Sequence, residues 1–318
     1  MKLKYVAKRL LAAVPTFFGI TILAFIILNM APGSPLDAML ADPRINAAEL
    51  ERKRQALGLN QPVLVQYFSW LRQFLSGNLG FSYSTQRPVA AMILERLPAT
   101  ALLASCSILL SLIVSIPLGI FAAAKPNSPR DFCSSGIALF MMAAPNFFVG
   151  LILIYFFAIV FQILPSGGMY DSSGTRSIAD LLRHMLMPCL VLSFQQIGGW
   201  VRHMRSSMLD VMQEDYIRTA RSKGLTRTAV LFRHGLKNSL IPVVTVVGMS
   251  IPSVVGGAVV TEQIFGWPGI GTLMVTAIQA RDYPVIMGVT VMLSAAVLLA
   301  NILTDLAYGI LDPRISYK

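Results

Sequence analysis

Long stretches without a charged residue are the feature that most limits how this chain can fold. Five of them contain no Asp, Glu, Lys or Arg, and each is long enough to cross a hydrocarbon core about 30 Å thick. They are Leu10–Ala31, Ala99–Ala124, Cys133–Pro165, Ser239–Val260 and Pro284–Thr304. Only 13% of all residues are charged, against roughly a quarter in soluble domains. The chain is therefore expected to lie in a membrane.

A sixth apolar stretch, Met185–Val201, is weaker than the others. It is short, it contains Pro188, and it carries the polar side chains of Gln195 and Gln196. We count it as the fourth span. The sequence then predicts an all-α polytopic membrane protein with about six transmembrane helices.

The distribution of Lys and Arg predicts the orientation of these spans. Short cytoplasmic loops carry an excess of both residues. With the N-terminus inside, such residues fall in the N-terminal arm, in the loop around Lys125 and Arg130, in the segment 202–238 and at the C-terminus. Both termini are then cytoplasmic. The stretch Leu10–Ala31 is longer than the core of about 7–15 residues in a cleavable signal, so we expect it to stay as the first span.

These spans divide the chain into five parts. Residues 1–9 form a cytoplasmic arm, 10–31 the first span, 32–98 an external loop domain, 99–308 the remaining transmembrane region, and 309–318 a cytoplasmic tail. The external part contains a charged helical stretch, Ala47–Ala56, and an amphipathic one, Val63–Leu75. The second could lie on the membrane surface, but we expect it to pack on the chain's own spans.

The cytoplasmic loop 202–238 contains a short segment with clear helix-end signals. Glu214 and Asp215 at its start and Arg221 near its end suit the helix dipole. Glu214 and Arg218 form an i,i+4 pair in the favourable order. Gly224 is expected to end the helix in a left-handed conformation, and Thr226 to cap the helix that follows.

Tyr216, Ile217 and Ala220 fall on one face of this short helix. Such a face can occupy a groove on a partner protein. It can equally lie along the bilayer, with basic residues at anionic headgroups. The residues alone leave both readings open.

The sequence lacks the motifs of common catalytic sites. It has no P-loop, no H-E-x-x-H and no Cys/His set with metal-ligand spacing. The three cysteines lie in or beside apolar stretches, and the net charge of +11 fits cytoplasmic loops better than nucleic-acid binding. We therefore expect no catalytic residue, no metal and no cofactor in this chain.

The spans contain almost no ionisable residue, with Asp305 as the exception. Ion-coupled carriers usually keep such residues at membrane depth, so the energy for any transport is expected to come from outside this chain. Polar and helix-breaking residues are then the candidates for a translocation pathway, although helix packing uses the same types. The candidates are Pro145, Asn146, Gln195, Gln196, Ser250, Pro252 and Ser253.

The stretch Asp215–Pro242 resembles the coupling loop of permease subunits in ATP-binding-cassette (ABC) importers. The general motif, Glu-Ala-Ala, three residues and Gly, falls on Arg218, Thr219, Ala220 and Gly224. Arg218 and Thr219 replace the Glu and the first Ala of the general motif, and these replacements resemble the version found in dipeptide, oligopeptide and nickel permeases. Further segments resemble that family in the same order along the chain: Lys8–Thr16, Ala31–Pro35, Leu57–Tyr67, Gly77–Tyr83, Phe265–Gly271, Arg281–Gly288 and Leu311–Arg314.

The resemblance implies a type I permease fold in a bacterial or archaeal cytoplasmic membrane. It implies a second homologous permease, two cytoplasmic ATPases that hold ATP and Mg²⁺, and an external binding protein. The residues implied in ATPase coupling are Glu214, Asp215, Tyr216, Ile217, Arg218, Thr219, Ala220, Arg221 and Gly224. The expected substrates are oligopeptides or dipeptides, the former favoured by Leu164–Tyr170. Nickel, metallophore or glutathione-like substrates are the alternative.

Two other classes of protein compete with this reading. A stand-alone secondary carrier predicts an inverted repeat, and no persuasive repeat is visible in the sequence. A membrane scaffold leaves the ordered basic loop unexplained. Co-purification with two ATPase subunits separates the importer from both.

Overall fold

The computed structural model describes residues 2–33, 35–36, 47–171 and 176–311. In these ranges the chain is helical, and its only β-type pairing is an isolated bridge between Phe81 and Pro88. The all-α prediction is confirmed. The predicted tail lies almost wholly outside the described residues.

Eleven helices are numbered here in chain order within the described ranges. They are α1 (Lys2–Met30), α2 (Ala47–Ala56), α3 (Val63–Leu75), α4 (Val89–Ala123), α5 (Pro129–Ala143), α6 (Asn146–Leu153), α7 (Ile178–Val211), α8 (Asp215–Ser222), α9 (Lys237–Ile264), α10 (Ile270–Gln279) and α11 (Tyr283–Leu311). A π-helical segment, Ile154–Val160, continues α6, and a helical turn with a second π-helical segment, Arg227–Leu236, leads into α9.

Four helical segments in the described residues are long and apolar enough to cross a membrane. They are Arg9–Met30, Val89–Ala123, Val230–Pro252 and Tyr283–Thr304. A fifth span arises if Pro129–Ala143 and Asn146–Val160, which meet at an angle of 99°, are taken together. The third predicted span is therefore sharply bent. The fourth predicted span lies inside α7, where Gln195, Gln196 and the charged residues after Val201 lower the hydropathy. It is therefore not among these four or five segments, which are identified by length and composition alone.

The described chain divides into two compact units. The first contains residues 99–268 and the chain from Leu299, and the second contains residues 2–98 and 269–298. The second unit therefore combines the predicted external segment with the first span and with the helix α10.

In the second unit, α3 packs along α1. The Tyr67 hydroxyl lies 3.0 Å from the Thr21 hydroxyl, and its ring contacts the ring of Phe25. Farther along, Phe74 contacts Phe17 with ring centroids 5.9 Å apart. The prediction that this amphipathic helix packs on the chain's own spans is confirmed.

A buried carboxylate organises the loop that follows α3. Asp282 is 1% exposed. It accepts hydrogen bonds from the Ser82 and Ser84 hydroxyls and from the backbone N–H groups of Tyr83 and Ser84. These bonds hold residues 82–84 on the turn that precedes α11.

In the first unit, α7 supplies much of the core. Its buried residues include Trp200, Val201, Met204 and Met208. Trp267, in the turn after α9, is buried as well. It is 0% exposed, and its indole N–H donates to the Ala99 carbonyl.

Candidate functional site

The helix α8 lies where the sequence predicted the coupling helix. Glu214 precedes it in an extended conformation, and Asp215 occupies its first turn. The Arg218 guanidinium lies 3.6 Å from the Asp215 carboxylate, and both side chains are largely exposed. The ion pair therefore joins Arg218 to Asp215, whereas Glu214, its expected partner, precedes the helix.

The C-terminus of α8 has the hydrogen bonds of a Schellman motif. Gly224 has a φ of +78°, and its N–H donates to the Arg221 carbonyl, while the Leu225 N–H donates to the Ala220 carbonyl. Thr226 then caps the next helical turn, since its hydroxyl accepts from the Ala229 N–H at 3.3 Å. Both helix-end predictions are confirmed.

The three residues that the sequence places on one face of α8, Tyr216, Ile217 and Ala220, differ in burial. Ile217 is 0% and Ala220 is 5% exposed, and both pack with Val230 inside the chain. Tyr216 is 41% exposed. Burial, followed by the charge of Glu214, raises the pKa of its phenol. Ile217 and Ala220 therefore hold α8 on its own chain and are not free to enter a groove on a partner.

The outer face of α8 is polar and charged. It presents Glu214, Asp215, Arg218, Thr219 and Arg221, all exposed. Charges of both signs within two turns suit a polar recess on a protein better than a uniformly anionic lipid surface. A partner would therefore contact these side chains together with Tyr216.

Several pathway candidates meet at the break between α5 and α6. Ala144 and Pro145 are extended, so the Ala144 carbonyl leaves the helical ladder and accepts instead from the Gln195 side-chain amide at 3.3 Å. The Asn146 side-chain oxygen is buried and has no hydrogen-bond partner. The structure thus brings Pro145, Asn146 and Gln195 together.

The other candidates, Gln196, Ser250 and Ser253, are not part of the Ala144–Gln195 hydrogen bond. The Ser250 hydroxyl accepts from the indole N–H of the buried Trp200 at 3.1 Å, which is a helix-packing contact. Gln196 is half-buried. The side chain of Ser253 is outside the described set.

The sequence did not indicate an ion pair that joins α5 and α7. The Arg205 guanidinium donates to both carboxylate oxygens of Asp131, at 2.5 and 2.7 Å, and Asp131 is 2% exposed. The run Ser128-Pro129-Arg130-Asp131 is a recognisable helix start, but nothing local indicates the distant Arg205 as its partner.

One group of potential metal ligands lies elsewhere in the first unit. The ligand atoms of Asp171, Asp180 and His184 are within 4.8 Å of one another. The Asp180 carboxylate already accepts from the Asp171 N–H, and it lies 3.1 Å from the His184 ring. These contacts form a network at the start of α7 that explains the grouping without an ion.

Comparisons with known families agree along the whole chain. Residues 115–317 match the family "Binding-protein-dependent transport system inner membrane component", and residues 2–104 match its N-terminal companion. The oligopeptide transport system permease AppB of Bacillus subtilis (strain 168) is 43% identical over 98% of this chain and 99% of its own. The dipeptide permease DppB of Escherichia coli (strain K12) is 36% identical over 99% of both.

Solved structures show the same fold. A chain of the MetNI methionine ABC transporter matches with a TM-score of 0.54 and 14% identity, over 70% of this chain and 97% of that one. An amino acid ABC transporter gives the same TM-score at 12% identity. Together with the apolar helices, these matches identify a multi-pass membrane protein, and the chain belongs to the family of binding-protein-dependent transport system inner membrane components.

Proposed function

We propose that this chain is the permease subunit of an ABC importer for short peptides. The observation that carries the proposal is similarity over almost the full length to permeases named for oligopeptide and dipeptide transport. Because 98–99% of both chains is covered, the similarity includes the segments that surround any pathway as well as α8.

The proposed mechanism needs subunits that this chain does not contain. A second, homologous permease completes the pathway, an external binding protein delivers the peptide, and two cytoplasmic ATPases bind ATP and Mg²⁺. This chain itself is not an enzyme. The absence of a P-loop from its sequence supports that division of labour.

We propose that α8 is the contact with one ATPase. Its polar outer face and Tyr216 enter a recess on the ATPase, while Ile217 and Ala220 hold the helix on the permease. Movement of the ATPase then moves α8 and the residues packed behind it. This assignment requires 202–238 and both termini to be cytoplasmic, as the Lys and Arg distribution predicts.

Reconstitution tests the function directly. The purified chain alone should neither bind nor hydrolyse ATP. With the second permease, both ATPases and the binding protein in proteoliposomes, radiolabelled trialanine should accumulate and stimulate ATP hydrolysis. ATP turnover by the isolated chain, or trialanine uptake without the ATPases, would contradict the proposal.

Glutathione is a second candidate substrate. The glutathione transport system permease GsiC of Escherichia coli O6:H1 is 37% identical over 99% of this chain and 100% of its own. The same proteoliposomes, loaded with the matching binding protein, should be tested with labelled glutathione, dialanine and trialanine, and with a nickel chelate. The preferred ligand is the one that stimulates hydrolysis at the lowest concentration.

A further inference from the structure

The helices α5 and α7 are joined at three levels within the first unit, and the first joint is ionic. Asp131, in the first turn of α5, receives both hydrogen bonds of the Arg205 fork. It also accepts from the Asn127 N–H at 2.9 Å and lies within 3.4 Å of the Ser135 hydroxyl. The Asp131 carboxylate therefore binds both the loop before α5, through Asn127, and the helix α7, through Arg205.

The second joint is a close approach in the middle of both helices. A Cβ added at Gly198 would lie 2.5 Å from the Ala138 carbonyl oxygen. Ala138 packs there with Ile197 and Val201 in one cluster. Since only glycine fits at this crossing, the backbones of α5 and α7 are in direct contact.

The third joint lies at the far end of α5. The carbonyl of Ala144, freed by the break before α6, accepts from Gln195 of α7. The contacts at positions 131, 138 and 144, in ascending order along α5, are made with positions 205, 198 and 195, in descending order along α7. The two helices run antiparallel, and each end of α5 is fastened to α7 by a polar contact.

The C-terminal end of α7 leads to α8. Met212, the residue after α7, packs against Ile217, Ala220 and Val230. Arg205 lies within the last two turns of α7, so the ionic joint is the nearest of the three to α8. The break at Ala144–Asn146 is the farthest.

We propose that α5 and α7 move as one rigid pair, and that Asp131 and Arg205 are positioning residues that transmit displacement of α8 to the break at Ala144–Asn146. This inference rests on the proposed role of α8 as the ATPase contact. A rigid pair is needed because α8 packs on Met212, which directly follows α7, and on Val230, whereas no residue of α5 belongs to that cluster. Without the ionic joint, α7 can shift while the start of α5 stays behind.

The geometry of the joint makes it specific to arginine. A guanidinium offers two parallel N–H donors that match both oxygens of a carboxylate, whereas a lysine ammonium is a single point of charge. Arg205→Lys therefore keeps the charge but loses the fork. It is a milder test than removal of either partner, which would leave a buried charge uncompensated.

The experiment uses the complete importer in proteoliposomes, with trialanine as substrate. For Arg205→Lys, the ATPases should stay bound and hydrolyse ATP, while the trialanine transported per ATP falls at least about fivefold, the lower end of usual coupling effects. The exchanged pair, Asp131→Arg with Arg205→Asp, should regain more of that ratio than either single variant. Arg202→Lys, at an exposed position on the same helix, should leave it unchanged.

Three outcomes separate this inference from the proposed function. An unchanged ratio for Arg205→Lys, with ATPases bound, overturns the positioning role alone. Loss of the ATPases in Arg205→Lys also overturns it, because the pair would then serve docking and not transmission. If the unmodified importer retains no ATPase at all, the proposed function fails instead.

Discussion

The Ser82 hydroxyl donates a hydrogen bond of 2.5 Å to the Asp282 carboxylate, across 200 positions of sequence. Both residues are buried, at 0% and 1% exposure. The same carboxylate accepts hydrogen bonds from the Ser84 hydroxyl and from the backbone N–H groups of Tyr83 and Ser84. The Asp282 side chain is therefore the shared acceptor for four donors on residues 82–84 in the second unit.

Replacing Asp282 with Ala should destabilise this unit. The donors on residues 82–84 would lose their shared acceptor, and a buried unsatisfied donor costs about 1–3 kcal/mol. The apparent melting temperature of the detergent-solubilised protein should fall clearly. The matched control is Glu95→Ala, which removes the exposed ion pair with Arg87 and should cost at most about 1 kcal/mol. Equal melting temperatures for the two variants would contradict the assignment.

Tyr83 should make stability depend on pH in the alkaline range. Burial, and then the charge of Asp282, raise the pKa of Tyr83 from 10.0 to about 12. The folded state therefore keeps a proton that the unfolded state loses above pH 10. This contribution is fully present below pH 10 and is lost as pH rises toward 12.

Comparison with Tyr83→Phe isolates that contribution. The difference in melting temperature between the unmodified protein and the variant should be constant from pH 7 to 9 and should shift against the unmodified protein above pH 10. Absorbance at alkaline pH should also show one late-ionising tyrosine fewer in the variant. A constant difference through pH 11 would show that Tyr83 titrates normally.

Gly224→Val should impair coupling through backbone strain alone. A Cβ at this position meets no atom within 4 Å, but φ is +78°, and a non-glycine residue in this region costs about 1–2 kcal/mol. Val should therefore disturb the end of α8, reducing transport and retention of the ATPases at matched membrane expression. Gly224→Asn is the control, because asparagine tolerates this conformation. Near-normal transport and retention for the Val variant would contradict a coupling role here.

Two adjacent glycines on α7 offer a matched pair for testing helix contact. Gly198→Ala should force α5 and α7 apart, because its Cβ would lie 2.5 Å from a backbone oxygen. Overpacking of this kind typically costs about 1–3 kcal/mol. Gly199→Ala meets nothing within 4 Å and should be neutral. Thermal unfolding of both variants checks this, and similar melting temperatures would show that the helices can separate freely.

The orientation of the chain can be tested by cysteine labelling in intact cells. In a variant with Cys106, Cys133 and Cys189 replaced, a membrane-impermeant maleimide should label Cys at Asn60 and not at Ser222. The same test at Ser172 and Tyr317, which lie outside the described residues, should give external and internal labelling. Labelling of Ser222 from outside would reverse the predicted topology.

The features that could be predicted from the sequence are the local ones. Apolar spans are contiguous in the chain, so their transfer free energy can be summed from neighbouring residues, and α1, α4, α9 and α11 appear where the pattern placed them. The ends of α8 are local as well. Gly224 and Thr226 act on backbone groups within a few residues, which is why both were predicted correctly.

The bent third span and the weak fourth span show where such summation fails. Hydropathy treats Cys133–Pro165 as one segment, but Pro145 removes a helical donor and turns the chain by 99°. In α7, polar residues reduce the hydropathy, although 15 of its 34 residues are buried in protein. A window average contains no information on what covers a helix.

The inward-facing side of α8 and the pairing of distant groups depend on how the helices pack. Ile217 and Ala220 turned inward because Val230 and Met212 lie behind them. Asp131 with Arg205, and Asp282 with Ser82, are separated by 74 and 200 positions. Their pairing follows from the burial of a carboxylate that must find donors wherever the fold brings them, and no local pattern identifies the partner.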